Sequence, residues 1–498
     1  MKTSKTSPSF AKKNVLVVGL GRSGVAACEL LRKYGCAITA TDVREQSMLA
    51  GDARNLQEEG VKLSVGGHDL TLLKGKDLVV LSPGVPRSIL LVQEALKTGV
   101  PVLSEIEIAF EVALAPILAV TGTNGKSTVV TLLGKIFSGA GLEVAVAGNI
   151  GLALSAVVED VPPQGIIVAE ISSFQLESID KFHPKVAVLL NITPDHLDRY
   201  DGLESYVEAK ARVFSNLTSS DFAVFNADDS LQLSLVTPLT AKLLSFSFRE
   251  RRVNEGAFIR GGAFWLRTAG EESQVTREND VALRGPHNFS NILASICAAS
   301  ALGMKAEQMK RSIEEFKGLE HRLEEVADID GVSFINDSKA TNVDSLKYSL
   351  LSFSNPIVLI AGGRDKGGNF SALRQLATDR VKELVLIGEA SKKIAASWPG
   401  IRAHLAQSML EAVETAYRLA RPRDVVLLAP GCASFDMFKD FEDRGRAFKN
   451  AVLSLVRGCA DPEGGGNAKA AAAAKGGSAA KGCATAKRDT AARGKHDA

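Results

Sequence analysis

The chain runs to 498 residues, 45% of them hydrophobic and 23% charged, which is too long for a single core and suits two to four domains. Its 59 lysines and arginines almost balance its 57 aspartates and glutamates, for a formal net charge of +2; much of that excess lies between Lys469 and Lys495, so the body has no field to gather nucleic acid, and no nucleic-acid partner is expected. The 44 glycines favour an enzyme with many tight loops over a helical scaffold, and six cysteines without a Cys-x-x-Cys pair argue against a zinc site and fit a reducing compartment.

Met1 to Asn14 is polar and basic and leads into a strand, not into an apolar signal core. Neither a signal peptide nor a transmembrane helix is expected, which predicts a cytoplasmic protein with no membrane insertion. Asn14 to Gly24 reads as strand, glycine turn and helix start, with the helix continuing to about Tyr34. A strand from Ala37 to Thr41 ends at Asp42, and another from Asp77 to Leu81 meets the turn Ser82-Pro83-Gly84. Such repeats of strand, loop and helix build a parallel sheet covered on both faces. The run Gly19-x-Gly21-x-x-Gly24 suits a diphosphate on a helix N-terminus, with Asp42 near a ribose or base. Three readings stay open there: a dinucleotide, another nucleotide diphosphate, or glycines that serve only helix–strand packing.

A second unit opens with the strand Ile117 to Val120 and then Thr121-Gly122-Thr123-Asn124-Gly125-Lys126-Ser127-Thr128. Backbone N–H groups of such a turn can wrap a polyphosphate, Lys126 can reach its β- and γ-phosphates, and Ser127 can ligate magnesium. Val120 stands where the usual pattern has its first glycine. Ile166 to Glu170 and Val186 to Asn191 are nearly all apolar and read as central parallel strands. Glu170 therefore sits at a carboxyl strand end, where a carboxylate beside a phosphate loop can hold magnesium. Asn191 to Asp198 follows the next strand the same way and carries His196 between Asp195 and Asp198, a candidate for metal, phosphate or substrate. By pattern alone Lys210 is a surface lysine on the helical stretch Tyr206 to Phe214. Phe222 to Asn226 is a further strand, Leu243 to Leu266 a β-rich edge region, and Asn288 to Ala301 an apolar helix. Asn288 is either that helix's cap or a contact to adenine or ribose. Two phosphate loops in separate units weigh against a dehydrogenase, since hydride transfer needs no triphosphate cleft.

A third unit has strands near Val332 to Asn336, Pro356 to Ala361, Glu383 to Ile387 and Val425 to Leu428, and a last helix from about Phe435 to Arg457. From Gly464 on, the chain is Ala, Gly, Lys and Thr with almost nothing to bury, and disorder is expected.

These residues together resemble the Mur ligase family from about Asn14 to Val456. Gly122-Thr123-Asn124-Gly125-Lys126-Ser127-Thr128 carries the superfamily, which also holds folylpolyglutamate synthases. Asp337-Ser338-Lys339-Ala340-Thr341-Asn342, Glu320-His321-Arg322 and Cys432-Ala433-Ser434-Phe435-Asp436 point to its D-glutamate-adding members. The resemblance implies an α/β chain of three domains: a Rossmann-like N-terminal domain over residues 1–105 that binds UDP, a central P-loop-type ATPase domain with a mostly parallel sheet over 106–320, and a Rossmann-like C-terminal domain over 321–460 that binds the amino acid. Residues 461–498 form the tail.

The implied reaction is ATP-dependent addition of D-glutamate to UDP-N-acetylmuramoyl-L-alanine, in peptidoglycan precursor synthesis, by a monomer. Another ligase of the Mur or folylpolyglutamate type is the nearest alternative. The same resemblance implies that Arg22, Ser23 and Asp42 bind uridine and diphosphate, that Asn149 and Ser172 line the UDP-sugar path, and that Arg322 and Asp337 face the nucleotide, where Asn288 would join them if it contacts adenine or ribose. It places Lys339, Thr341, Lys366, Ser434 and Phe441 around D-glutamate. Two magnesium ions are implied, one on Ser127 and Glu170, the other on His196 and a carbamate formed on Lys210. The family's Ser-Pro-Ala-Cys-Ala-Ser reads Ala429-Pro430-Gly431-Cys432-Ala433-Ser434 here, so the first hydroxyl is missing.

Overall fold

The computed structural model describes residues 7–195, 199–365 and 367–458. His196, Asp198, Lys366 and the predicted tail lie outside the described residues.

Three sheets follow one another along the chain. The first comprises β1 (Asn14–Val18), β2 (Ala37–Asp42), β3 (Lys62–Val65), β4 (Leu78–Leu81) and β5 (Val102–Ser104), all parallel, in the order β3-β2-β1-β4-β5. The second has nine strands: β6 (Ile117–Thr121), β7 (Val144–Gly148), β8 (Ile166–Glu170), β9 (Val186–Leu189), β10 (Phe222–Asn226), β11 (Lys242–Ser247), β12 (Gly256–Arg260), β13 (Ala263–Thr268) and β14 (Glu271–Arg277). Their order is β14-β13-β12-β11-β10-β9-β6-β8-β7, parallel except for the β12-β13-β14 meander. The third comprises β15 (Glu324–Ile329), β16 (Val332–Asn336), β17 (Ile357–Gly362), β18 (Val381–Ile387), β19 (Ala403–Leu405) and β20 (Val425–Leu428), in the order β15-β16-β20-β17-β18-β19, with only β15 antiparallel. The chain is thus α/β with three domains and mostly parallel sheets. No helix among the described residues is long and apolar enough to cross a membrane.

The joints between these units differ. One apolar cluster runs continuously from Val15 and Leu31 of the first unit to Leu189 and Phe225 of the second. Buried carboxylates on the connecting helix Glu105–Val112 tie it to the central unit: Glu107 accepts the N–H groups of Asp180, Lys181 and Phe182 at 2.7–2.9 Å, and Glu105 accepts that of Ser155 at 2.6 Å. The third unit has its own apolar clusters on the two faces of its sheet, and neither includes a residue of the other units. The linker into it is backbone-strained, with His321 at φ 64° and Leu323 at φ 46°, a region that costs non-glycine residues energy and persists only where surroundings enforce it. Asn336 Nδ2 bonds to His321 Nδ1 at 2.9 Å and to Glu324 at 3.1 Å, which anchors that linker to β16.

The last helix spans Phe441–Gly458 and so begins later than expected. Asp440 Oδ1 accepts the N–H of Asp443 at 2.7 Å, an N-cap bond that sets the start there. Gly431, where the family pattern has alanine, adopts φ +65°, and a Cβ there would lie 2.9 Å from Leu346 Cδ2; the loop needs glycine in this chain.

Candidate active site

The central loop is built by a buried strand running into a helix. All five residues of β6 are buried, and the helix Lys126–Gly139 starts one turn later. Gly122 has φ +149° and Gly125 φ +87°; a Cβ on Gly125 would lie 2.3 Å from Asn291 Oδ1. Asn191, after β9, holds the turn's shape: its carbonyl accepts from Thr123 N at 2.9 Å and its Oδ1 from Asn124 N at 2.8 Å. Inside the turn, Lys126 Nζ donates to the carbonyls of Gly122 (2.7 Å) and Thr123 (2.8 Å). Burial lowers its pKa, opposed by the nearby Glu170 charge. A lysine folded onto its own loop in this way is stored beside the place where a polyphosphate would lie. Ser127 and Thr128 are buried at the helix start.

Glu170 ends β8 and is 2% exposed. Its Oε1 accepts from Asn149 Nδ2 at 2.8 Å, while its Oε2 is buried with no hydrogen-bond partner. An orphaned carboxylate oxygen is costly, and a cation is one partner that would satisfy it. Lys210 departs from its surface-lysine pattern, because the helix Leu203–Ala211 turns Tyr206, Ala209 and Lys210 inward. It is 2% exposed, donates to Gly122 O at 2.9 Å, and lies 4.5 Å above the Tyr206 ring. Burial, with Lys126 adding repulsion, holds its pKa well below the ordinary lysine value. Tyr206 in turn places its hydroxyl 3.2 Å from Thr123 Oγ1. Lys126 and Lys210 thus converge on the Gly122 carbonyl, close enough to Glu170 for its charge to act on both. Among the described residues no three His, Cys, Asp or Glu side chains converge, so a magnesium here would rely on few protein ligands together with phosphate oxygens, as that ion commonly does.

Two cavities flank this centre. One, between the central and third units, is lined by Asn124, Gly125, Thr128, Asn288, Arg322, Asp337 and Lys339, with His287 and Tyr348. Burial pushes the Asp337 carboxyl up to about 6, against Ser349 and Arg322, and brings Lys339 down to about 8, with Arg322 adding repulsion. Arg322 reaches Ser127 Oγ at 3.4 Å. Asn288 is not the helix cap: Gly285 precedes the helix Pro286–Ala301, and Asn288 donates to Arg284 O at 2.9 Å from inside the first turn. The second cavity, between the first and central units, is lined by Gly19, Gly21, Arg22, Ser23, Asp42, Ser82 and Asn149. Ser172 lines neither cavity. Its hydroxyl caps the helix Ser173–Leu176 in a reciprocal pair with Gln175.

On the third unit, Lys339 Nζ sits 3.5 Å from the centroid of the Phe441 ring, a cation–π contact. Thr341 and the buried Ser434 lie on the two loops beside it and line neither cavity. Arg444, which the sequence pattern does not single out, binds those loops together. Its guanidinium is fully buried and donates to Ser338 Oγ (3.0 Å), Ser338 O (2.8 Å), Cys432 O (3.1 Å) and Ala433 O (3.3 Å). Its position in Phe441-Glu442-Asp443-Arg444 reads as an ordinary surface helix arginine, and only tertiary contact reveals it.

Models of known families match the chain in three segments. The Mur ligase MurD-like N-terminal domain matches residues 13–104, the Mur ligase middle domain 120–299, and the Mur ligase glutamate ligase domain 321–432. The chain belongs to the Mur ligase family. This Mur ligase is similar to the UDP-N-acetylmuramoylalanine--D-glutamate ligase of Pelotomaculum thermopropionicum, 45% identical over 452 residues that cover 90% of this chain and 99% of that protein. It is also similar to the protein of the same name from Geobacter metallireducens, 44% identical over 447 residues, with 90% and 98% covered. Among solved structures, MurF from Acinetobacter baumannii superposes with a TM-score of 0.59 at 17% identity over 89% of this Mur ligase and 93% of that chain. MurC from Thermotoga maritima gives 0.57 at 19% identity over 89% and 100%. Those two likenesses are of fold.

Proposed function

We propose that this Mur ligase joins the amine of D-glutamate to the L-alanine carboxylate of UDP-N-acetylmuramoyl-L-alanine, cleaving ATP to ADP and phosphate, as a cytoplasmic monomer in peptidoglycan precursor synthesis. The observation that carries this reading is the Asn149–Glu170 hydrogen bond. Asn149 lines the first-unit cavity, and Glu170 faces the phosphate loop with one oxygen free. The bond therefore links the place for a UDP-sugar to the place for a triphosphate. A substrate lying along β7 and β8 would present its terminal carboxylate at the γ-phosphate. The named relatives, at 45% and 44% identity, support D-glutamate as the amino acid.

A carboxylate does not accept an amine at neutral pH without activation. In this reading the L-alanine carboxylate oxygen attacks the γ-phosphorus, the bond to ADP breaks, and an acyl phosphate results. Lys126 swings from its own carbonyls onto the phosphoryl oxygens, where charge accumulates as the bond breaks. Arg22 and Ser23 would hold the diphosphate of the UDP-sugar; Asn288, Arg322 and Asp337 would face the ATP. Lys339 and Ser434, with Thr341 and Lys366, would take the two carboxylates of D-glutamate over Phe441. The D-glutamate amine then attacks the acyl carbon, and the tetrahedral adduct collapses to the amide as phosphate leaves. Water would hydrolyse the acyl phosphate, so the third unit must cover the cleft.

Ser127 and Glu170 would hold one magnesium ion, and His196 with Lys210 the second. When bound, these ions neutralise the phosphoryl oxygens. The free Oε2 of Glu170 fits this; the ammonium form of Lys210 does not, because it would repel a cation. Its strongly lowered pKa supports the alternative. Only a neutral amine adds to carbon dioxide, losing a proton as the N–C bond forms, and the resulting carbamate is an anion. The test is phosphate release from ATP with magnesium and UDP-N-acetylmuramoyl-L-alanine, offering one amino acid at a time. Release is expected with D-glutamate and not with L-glutamate, L-lysine or diaminopimelate. Release with none of them would reject the assignment.

A further inference from the structure

The joint between the central and third units carries its own device. The first and central units share an apolar cluster, whereas the third unit's apolar clusters include neither of its neighbours. Its contact with the phosphate loop is polar. Asn124, at the tip of that loop, donates from Nδ2 to Asp344 Oδ2 at 3.0 Å and accepts at Oδ1 from Ser345 Oγ at 2.9 Å. Thr193 Oγ1, on the loop after β9, donates to the same Asp344 oxygen at 3.1 Å. One residue pair further along, Asn342 Nδ2 donates to Asp195 Oδ2 at 3.1 Å.

Asp344 and Ser345 sit in the first turn of the helix Val343–Leu351, which Asn342 caps by accepting Ser345 N at 2.8 Å. The docking turn is therefore rigid on its own side. Asn124 is rigid on the other, because Asn191 brackets its backbone, accepting from its N–H at 2.8 Å and donating to its carbonyl at 3.0 Å. Two pre-formed turns thus meet through hydrogen bonds that use both ends of the Asn124 amide. Polar interfaces between domains open and close more readily than apolar ones, and both turns border the cavity assigned to the nucleotide.

We propose that Asp344 and Ser345 are a latch that holds the third unit closed on the phosphate loop, so that nucleotide leaves the cleft only when their bonds to Asn124 and Thr193 break. They are positioning residues: neither is assigned a contact to substrate. The latch rests on the nucleotide reading of that cleft, and the two are separable by experiment.

The probe is a fluorescent N-methylanthraniloyl ADP, displaced from the full-length protein by excess ATP in a stopped-flow instrument. Asp344→Ala is expected to speed release roughly tenfold, as loss of one or two hydrogen bonds to a carboxylate would, with the melting temperature unchanged. Asp344→Asn keeps an oxygen that can accept both donors, and its release rate should stay within about twofold of the parent. X-ray scattering on the ligand-free proteins gives a second readout, since D344A should show a larger radius of gyration than the parent. Should D344A fail to fold, Ser345→Ala carries the same test from the Oδ1 side, with about a threefold faster release expected. Unchanged release and unchanged radius in the folded variants would overturn the latch. If the parent binds no probe, the nucleotide reading falls, and the scattering comparison alone decides whether these residues hold the third unit closed.

Discussion

Two glycine turns stand at strand ends, opening at Gly19 and at Gly122, and they follow the same local grammar with different charge. After β1, Gly19 takes φ +91° and Gly24 packs so tightly that a Cβ would lie 1.9 Å from Gly19 O, yet nothing lies within 4 Å of where a Cβ on Gly21 would be. That turn offers backbone and open space. Its acid, Asp42, is already engaged: Oδ2 accepts Leu20 N at 2.7 Å, and the Arg44 guanidinium pairs with both oxygens. After β6 the turn instead contains a half-buried lysine on its own carbonyls and faces a carboxylate with a free oxygen. Both turns can grip phosphate. Of the two, the second holds a buried carboxylate oxygen without a hydrogen-bond partner, the kind of preorganised charge that phosphoryl transfer uses. On the proposed function, the first would be a grip and the second a reaction centre.

The sharpest way to break that contrast is Lys126→Ala. Phosphate release should fall by about 10²–10³, the usual cost of removing one preorganised electrostatic group, while the Michaelis constant for the UDP-sugar moves little. An equal loss on substituting Arg22 to Ala would erase the distinction between the two turns.

Next in size is Gly24→Ala. The clash is with backbone rather than with a flexible side chain, so the helix Arg22–Lys33 must shift off β1. Urea unfolding should show a loss of about 1–3 kcal/mol, the range for overpacking. Gly21→Ala, at φ −77° with no neighbour, should leave stability nearly unaltered and weaken only the UDP-sugar. If both variants unfolded alike, the open space over Gly21 would not be a ligand site.

Both turns were legible from residue order alone, because glycine at a strand–helix junction is a local signal. So were the central strands: β1, β8 and β20 are buried on both faces and read as apolar runs. What escaped was decided by neighbours. All six edge strands, β3, β5, β7, β14, β15 and β19, lie outside the predicted set, since a strand paired on one side is short or half exposed and its pattern fades. The β-rich region expected over Leu243 to Leu266 continues into β14 for that reason. Lys210 and Arg444 look like surface helix cations in sequence, and only the helix's placement buries them. For Lys210 the family resemblance supplied what the pattern could not; for Arg444, Asp344 and Ser345 nothing in the residue order did.

A pH profile extends the contrast to the third unit. Lys339 titrates near 8 because burial and Arg322 disfavour its charge, so it is cationic below that pH and neutral above it. If it binds a D-glutamate carboxylate, the Michaelis constant for D-glutamate should rise several-fold as pH passes 8, with that for the UDP-sugar flat. Lys339→Arg, which keeps its charge throughout that range, should remove the dependence. Persistence of the same limb in that variant would assign it to another group.

The smallest effect is expected from Asp42→Asn, and it tests the independence of the two turns. Burial opposes the Asp42 charge, but Arg44 and the N–H groups of Arg44 and Leu20 outweigh it and hold the carboxyl well below the usual carboxylate range. The amide would keep an acceptor for Leu20 N and lose the ionic pairing with the half-exposed Arg44, a pair worth little where solvent screens it. A few-fold rise in the Michaelis constant for UDP-N-acetylmuramoyl-L-alanine, with that for ATP unchanged, is the expected outcome in steady-state assays. Parallel movement of both constants would mean that the first turn reaches the reaction centre through the apolar core the two units share, and the grip could no longer be separated from the chemistry.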